Sequence, residues 1–576
     1  MTTSRWKANP QSDQWNAAEN WDAGQVPDAN ALFDASSRTA ISFTADSAAQ
    51  IEQIEFAETA AAYSFTVRDI AKHPALTISG AGIVNRSLNT QSFVVASYGT
   101  YNQPQLKFTG AATVGDGPIS FYAGPPSLET TYGGGTIAFH DDASAGAAYF
   151  TLRTGKVPPP NRQSSLGGTV SFSERARAGT ATFSIFGTLG SDGDTFANAV
   201  FHQAASADNG TFINRGGTVP SGDGGNTQFY DYSSAAQGTY LNHGGTAVDA
   251  NWKGANGGDV SFDGAATGGQ GTFYNYPATI DGAHGGVTSF NNNPNFPAME
   301  NAGASAGEGT YINYGATKES PGGGGHTEFT ARFGYANGGR AKILNFGSAL
   351  NSASTAGHTI FSIKPPNAFF SSADNATIWN HPGQAGGFTI FESSYGTGAP
   401  NRPPTAGNAT IYNLGSDAPD QQGGYTSFND VGTAGNATLI AYGGTRGGAG
   451  GQIQFADSST GGTAKIHLLG NGTLDISGHK QGLSIGHLEL TNGVIKIRLG
   501  ADPTTLTIAE ALKVNLSPVM MIFSFPDDHS IEPGVEYPVL TAPSLAELNA
   551  SAYEANKIHN LTPKFVIEAD VLKVSY

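Results

Sequence analysis

The sequence predicts an all-β protein, a single-chain parallel β-helix or solenoid, on three observations. First, between residues 133 and 470 a short segment ending in Phe recurs, at Phe139, Phe172, Phe201, Phe229, Phe262, Phe290, Phe329, Phe361, Phe391, Phe428 and Phe455, with spacings of 27 to 39 residues. Second, a segment ending in Asn alternates with it: Gly-Thr-Phe-Ile-Asn at 210–214, Gly-Thr-Tyr-Leu-Asn at 238–242, Gly-Thr-Phe-Tyr-Asn at 271–275, and so on to Ala-Thr-Ile-Tyr-Asn at 409–413. Third, the 576 residues include 78 Gly, and only 13 % are charged. That composition excludes a helical protein, and the fixed places of the aromatics exclude disorder. A period near 30 residues built from two short, Gly-bounded alternating segments belongs to a stacked coil. One unit cannot bury its own apolar residues, so Phe is expected over Phe, and Ile or Leu over Tyr, in successive coils. The recurrent Asn is expected to form a ladder of stacked amides at a turn.

Taken in order, residues 1–40 read as an N-terminal cap. Trp6, Trp15 and Trp21 are three of the five tryptophans, and an open solenoid end needs cover over its core and strand edge. A Trp-lined carbohydrate platform is the alternative reading of the same residues. Residues 41–490 read as the β-helix, entered through 51–56, 63–67 and 76–79. Residues 491–576 read as C-terminal strands and a cap, within which Ser544 is placed to start a short helix over 545–548.

The formal net charge of −17 and the absence of any Lys/Arg run exclude nucleic acid as a partner and disfavour an anionic membrane surface. No apolar stretch has the length of a membrane-spanning helix, so membrane insertion is not expected. With no cysteine in the chain, disulfides and thiolate metal sites are excluded. The first residues, Met1 to Arg5, lack the apolar core of a signal peptide.

At this point the chain resembles a family. Trp6, Trp15, Asn20-Trp21 and Val26-Pro27, then Leu-Thr-Ile-Ser-Gly-Ala-Gly-Ile at 76–83, then Thr-Ala-Gly-Asn-Ala-Thr at 405–410 and 433–438, are similar to bacterial autotransporter-type β-strand-repeat proteins. The resemblance covers nearly the whole chain. It implies a right-handed β-helix that is exported or attached to the bacterial cell surface. An autotransporter also carries a C-terminal outer-membrane barrel, and this chain ends at Tyr576 without one, so it reads as passenger-like or as a relative without a barrel.

Function in such a fold is expected in the loops that leave the coils. Three long loops, 292–309, 364–375 and 393–408, all follow a Phe segment and should emerge on one side. They carry Phe296, Met299 and Glu300, then Phe369, Phe370 and Asp374, then Tyr395 and Arg402. With Arg332, Phe333 and Tyr335 these form a candidate wall for sugar, since aromatic faces stack on sugar rings and Arg hydrogen-bonds hydroxyls. Packing of the loops on one another is the structural reading of the same residues. On the other side Trp252 is a further ligand-binding candidate. Asp223, Asp249 and Asp281 lie in successive units and are the candidates for paired acid/base chemistry. Calcium is a second use for these carboxylates; no nonapeptide calcium repeat accompanies them, and no cofactor is expected. His326 and His358, each three residues before a Phe, fit a hydrogen-bonded pair better than a metal site, for want of a third ligand. Asp141-Asp142 and Asp527-Asp528 occur without the Gly-His-Gly of polygalacturonase-type β-helices. No Gly-x-Ser-x-Gly elbow accompanies a strand-to-helix turn, and no phosphate loop is present.

Two functional classes stay open. The first is an exported surface or matrix protein, a rigid scaffold or adhesin that binds glycans or cell-surface molecules through side loops. The second is a polysaccharide lyase or glycoside hydrolase. A secreted toxin or host-binding protein is a third use of the same architecture. The sequence does not fix the oligomeric state.

Overall fold

A computed structural model describes residues 2–43, 48–68, 75–96, 106–125, 127–129, 134–156, 167–190, 196–291, 303–331, 334–364, 370–393, 402–500, 503–524, 534–558 and 561–576. These residues form short β-strands joined by turns, with four brief 3-10 turns as the helical content among them. No helix among them is long and apolar enough to cross a membrane. The chain divides into two units, Met1–Thr288 and Ser289–Tyr576. Each is a stack of parallel β coils, the fold class the repeats predict.

In the first unit the strand Thr136–Phe139 pairs in parallel with Thr169–Phe172, which pairs with Asn198–Phe201, then Asn226–Phe229, then Asp259–Phe262, always Phe against Phe. Parallel strands lie about 4.8 Å apart, so in-register aromatic residues stand at ring-stacking distance. Centroids of Phe172 and Phe201, and of Phe201 and Phe229, are 4.7 Å apart with planes tilted by 7° and 12°. A second column, Phe150, Phe183, Phe212, Tyr240 and Phe273, stacks at 4.5 to 5.0 Å. It meets the first edge-on, as between Phe172 and Phe183 at 84°. The row Ile213, Leu241, Tyr274 points outward instead, so the apolar neighbours of Phe212 and Tyr240 are not core in this unit.

The Asn ladder forms as expected. Asn214 Nδ2 donates to Asn242 Oδ1, and Asn242 Nδ2 to Asn275 Oδ1, both at 2.8 Å, and all three residues are fully buried. Two of the three carbonyls also accept a hydroxyl from a Phe strand, Asn214 Oδ1 from Thr227 Oγ1 at 2.9 Å and Asn275 Oδ1 from Thr288 Oγ1 at 3.0 Å; at the equivalent place for Asn242 stands Val260. Buried amides are thereby satisfied by the coil stack itself.

Two left-handed corners repeat as well. Two residues beyond each Phe stand Asp141 (φ 59°), Glu174 (φ 62°), Gln203 (φ 56°) and Asp231 (φ 58°). Their side chains accept from the amide one coil earlier: Gly110 N to Asp141 Oδ2 at 2.8 Å, Asp141 N to Glu174 Oε2 at 2.5 Å, Gln203 N to Asp231 Oδ2 at 2.8 Å. These acids are corner fasteners. The second corner follows a single bridging residue, the series Ser144, Arg177, Ser206, Ser234 and Thr267. Its hydroxyls accept from the amide two residues on, in Gly146, Asp208, Ala236 and Gly269.

The N-terminal tryptophans pack on one another and on Phe33. Trp6, Trp15 and Trp21 are at most 1 % exposed. Trp21 packs edge-on to Trp6 and Trp15 at 5.2 and 5.0 Å, and Trp21 Nε1 donates to Trp15 O. Rings this deeply buried offer no face to a sugar, which removes the platform alternative.

The second unit repeats the scheme. Phe290, Phe329, Phe361, Phe391, Phe428 and Phe455 stack at 4.5 to 4.8 Å. Asn313, Asn345, Asn380 and Asn413 link Nδ2 to Oδ1 at 2.8 Å each. Here Tyr311 stands in register with Ile343, the predicted Ile over Tyr. His326 and His358 do not form a mutual hydrogen bond. Their rings lie parallel, 4.8 Å apart and tilted by 2°, and continue into Phe388 and Tyr425 as an aromatic column. Toward the C-terminus the parallel order ends: Val571–Ser575 pairs antiparallel with both Tyr537–Thr541 and Lys564–Glu568. Ser544 makes no side-chain cap, and the expected helix is a 3-10 turn, Leu545–Glu547.

Candidate functional site

In the second unit a third parallel strand runs between the Phe and Asn strands. Gly303–Ser305 pairs with Tyr335–Asn337, which pairs with Ser371–Ser372, continued by single bridges at Thr405, Thr433 and Thr460. Its inward residues are small, Ala304, Ala336 and Ser371, then Ala306, Ala373 and Ala406 beyond the bridge position. That lets the strand sit close against the aromatic core. Its outward residues form rows along successive coils.

One row places Tyr335 against Gly303 on one side and, through Ala336 against Ser371, against Phe370 on the other. A Cβ on Gly303 would come within 2.4 Å of Tyr335, so glycine is what the neighbouring coil requires there. The Tyr335 and Phe370 rings meet edge-on at 6.5 Å. Arg402 Nη1 donates to Tyr335 Oη at 3.3 Å, and its guanidinium lies 6.0 Å from the Tyr335 ring centre. The second row is Asn337, Ser372 and Thr405. The third carries Asn408 and Asn436, both exposed, with Asn436 Nδ2 donating to Asn408 Oδ1 at 3.2 Å.

These rows enclose an open cleft of about 500 Å³, whose lining also includes Asp374, Gly407 and Gly435. Two half-buried aromatic rings and a guanidinium form one wall. The floor is Asn337 with Ser372 and Thr405, which are buried and whose Oγ atoms accept from the amides of Asp374 at 2.9 Å and Gly407 at 3.0 Å, and the exposed amides of Asn408 and Asn436 form the far side. Such a mixture of apolar faces and oriented polar groups suits a ligand that is itself amphipathic. Among the described lining residues Arg402 is the one cation and Asp374 the one carboxylate, and the latter accepts from Asn375 Nδ2 at 2.9 Å.

The structure therefore brings together three of the predicted wall residues, Tyr335, Phe370 and Arg402. Arg332, Phe333, Phe369 and Tyr395, together with Phe296, Met299 and Glu300 of the first long loop and Asp527-Asp528, lie outside the described residues. Sequence reasoning missed the polar half of the cleft, Asn337, Ser372, Thr405, Asn408 and Asn436. The signal was present in the Thr-Ala-Gly-Asn-Ala-Thr repeat, whose Asn lines the cleft in both copies, as does the first Thr of the earlier copy, Thr405.

The predicted acids of the first unit take other places. Asp223 aligns with Asn256, whose Nδ2 donates to its Oδ1 at 2.7 Å. Asp249 begins a small hairpin closed by the Val248–Gly254 bridge. Its Oδ1 accepts from the amides of Asn251 and Lys253 at 2.8 Å each, and the Lys253 amide is the chief cause that holds this carboxyl below its ordinary range. Asp281 is an exposed turn residue beside Gly282, where a Cβ would come within 2.9 Å of the Trp252 ring. The hairpin inserted at 248–254 separates Asp249 from the row of Asp223, so period alone did not align them. Trp252 tops that hairpin, 69 % exposed at φ 61°. No group of three or more His, Asp or Glu among the described residues is gathered to hold a metal.

A smaller cleft of about 370 Å³ in the second unit contains His479. The ring nitrogens of His479 lie 2.7 Å from the backbone carbonyls of Gln481 and Ser459, so this side chain fastens two turns.

A scan of protein-family models finds no match to this chain, and a search of curated proteins finds no match either.

Proposed function

We propose that this chain is a glycan-binding β-solenoid of the bacterial surface or matrix, a rigid scaffold that presents an adhesive cleft. The observation that carries the reading is the alignment of Tyr335, Phe370 and Arg402 along one wall of a cleft whose opposite side carries the exposed amides of Asn408 and Asn436. Aromatic faces take the C–H faces of sugar rings, and Asn amides pair with hydroxyl groups as donors and acceptors. Its placement on the outside of the cell rests on the autotransporter-like repeats. Hydrolysis by paired carboxylates has one carboxylate, Asp374, among the described lining residues, so binding is favoured over cleavage.

The test is a glycan array probed with the purified chain, followed by titration of the glycans it retains. Tyr335→Ala, Phe370→Ala and Arg402→Ala each weaken binding about tenfold, the order expected for one aromatic or charge-assisted contact. Tyr232→Ala, an exposed aromatic of the first unit, leaves it unchanged. New reducing ends or unsaturated products would overturn a purely adhesive role. Fractionation that finds the protein only in cytosol would overturn the surface assignment.

A further inference from the structure

The cleft has a direction. Its rows are successive coils of the second unit: Gly303, Tyr335 and Phe370 on one wall, and Asn337, Ser372 and Thr405 on the floor. Gly407 and Gly435 with Asn408 and Asn436 follow on the far side. Each step from coil to coil is one parallel-strand spacing, about 4.8 Å. From the coil of Gly303 to that of Gly435 there are four such steps, so the lined floor extends about 19 Å across the strands. A single sugar ring would occupy only a fraction of that length.

We infer, resting on the glycan-binding reading above, that the cleft takes a linear, uncharged oligosaccharide of at least three residues, laid across the strands along the direction of coil stacking. Three features set this ligand class. The aromatic rings are confined to the Tyr335–Phe370 end, where one sugar stacks. The remaining length offers the side-chain amides of Asn337, Asn408 and Asn436, each on a different coil, and the hydroxyls of a sugar chain laid over the coils pair with them. The formal charges of the described lining cancel, Arg402 against Asp374, while the whole chain carries −17. A polyuronate would approach an anionic protein and find one cation, so electrostatics disfavour it at low salt. Floor residues leave room for this pose because the left-handed positions Gly407 and Gly435 carry no side chain, at φ 61° and φ 57°.

The test is calorimetric titration of the intact chain with β-1,4-linked gluco-, manno-, xylo- and N-acetylglucosamine oligomers of one to six residues, and with galacturonate and mannuronate oligomers of the same lengths. For at least one neutral series, affinity rises at least tenfold from the monomer to the trimer or tetramer and then levels off. Asn436→Ala, at the end of the cleft opposite the rings, weakens the hexamer about fivefold and leaves the dimer unchanged. Tyr335→Ala weakens all lengths. Affinity independent of length, or an Asn436→Ala loss equal for dimer and hexamer, overturns the extended pose and leaves the glycan-binding reading intact. Tighter binding of the uronate series overturns the uncharged class. If no oligomer of any series binds, both this inference and the reading beneath it fall. Both substitutions are at solvent-facing positions, and an unchanged far-ultraviolet spectrum and unfolding midpoint establish that each variant is folded.

Discussion

Asn345 shows how one residue type serves the stack. Its Nδ2 donates to Asn380 Oδ1 at 2.8 Å and to Phe388 O at 3.0 Å, and its Oδ1 accepts from Asn313 and from Thr359 Oγ1. Asn413 closes the ladder. It accepts from Asn380 and Thr426, but the residue one coil on is Ala441, and its Nδ2 has no hydrogen-bond partner. Removing a buried partner costs about 1–3 kcal/mol for each group left unsatisfied. Asn345→Ala therefore lowers stability by more than Asn413→Ala, with a gap of about 1–3 kcal/mol between them. Urea unfolding of the two variants reads that difference, and equal losses would contradict the ladder as a chain of mutual satisfaction. The Asn and Phe columns were legible in the sequence because a position buried in every coil meets its own kind and keeps its identity. The cleft was legible only through its aromatics and Arg402. Ser372 and Thr405 looked like loop residues because their strand is one or two residues long, and its inward partners are Ala and Ser, which give no apolar alternation.

At the scale of the element, the repeated corner is the informative unit. After the bridging residue, which is Ser or Thr except at Arg177, the residue two positions on adopts a left-handed conformation in every coil of the series: Gly146, Gly179, Asp208, Ala236 and Gly269 in the first unit. Ala236, at φ 47°, is the one position of these five with a nonpolar Cβ. L-residues other than glycine adopt this region at a cost of roughly 1–2 kcal/mol, and glycine in turn gains unfolded-chain entropy. Ala236→Gly is expected to raise stability by about 1 kcal/mol, against the usual penalty of glycine in a strand. Thermal unfolding measures it, and a loss would mean that the Ala236 methyl packs well enough to repay its strain. Asp141, Glu174 and Asp231 belong to the other corner. Read as sequence, a recurring acid suggests chemistry; here the carboxylate replaces a missing backbone acceptor for the coil before. That distinction depends on a neighbour about 30 residues away and is invisible locally.

For the whole molecule, burial of histidine contributes to the response to acid, beside carboxylates such as Asp22 and Asp249 whose hydrogen bonds hold them below their ordinary range. His358 stacks between His326 and Phe388, and burial, with the neighbouring His326 second, holds its pKa down at about 3. Burial pushes His140, His202, His243 and His381 down as well. Unfolded histidine titrates near 6.5. Above that pH both states are neutral, and the contribution to stability is complete. As pH falls below about 6.5 the unfolded chain takes up protons that the folded His358 refuses until about 3, so stability declines across that window. His358→Phe, which keeps the ring column, should flatten the acid side of the stability profile while leaving pH 7 stability within about 1.5 kcal/mol. Urea midpoints at pH 7 and pH 4.5 compare the two. An unchanged pH dependence would assign the acid sensitivity to the other histidines and to the hydrogen-bonded carboxylates.

The amide column also governs how the chain tolerates changes of length. Each Asn gives its Nδ2 hydrogen to the next coil and receives one from the coil before, always in the same sense. Excising the segment from one Asn to the next, such as residues 346–380, leaves a donor facing an acceptor at the new junction, with Phe still over Phe and a left-handed corner over its like. Excising half of it sets Asn opposite Phe and strands the donors of two coils. Between its ends such a chain lengthens and shortens in whole turns, like a screw thread, or else inside the loops that leave it; the residues that line its cleft come from both kinds of place.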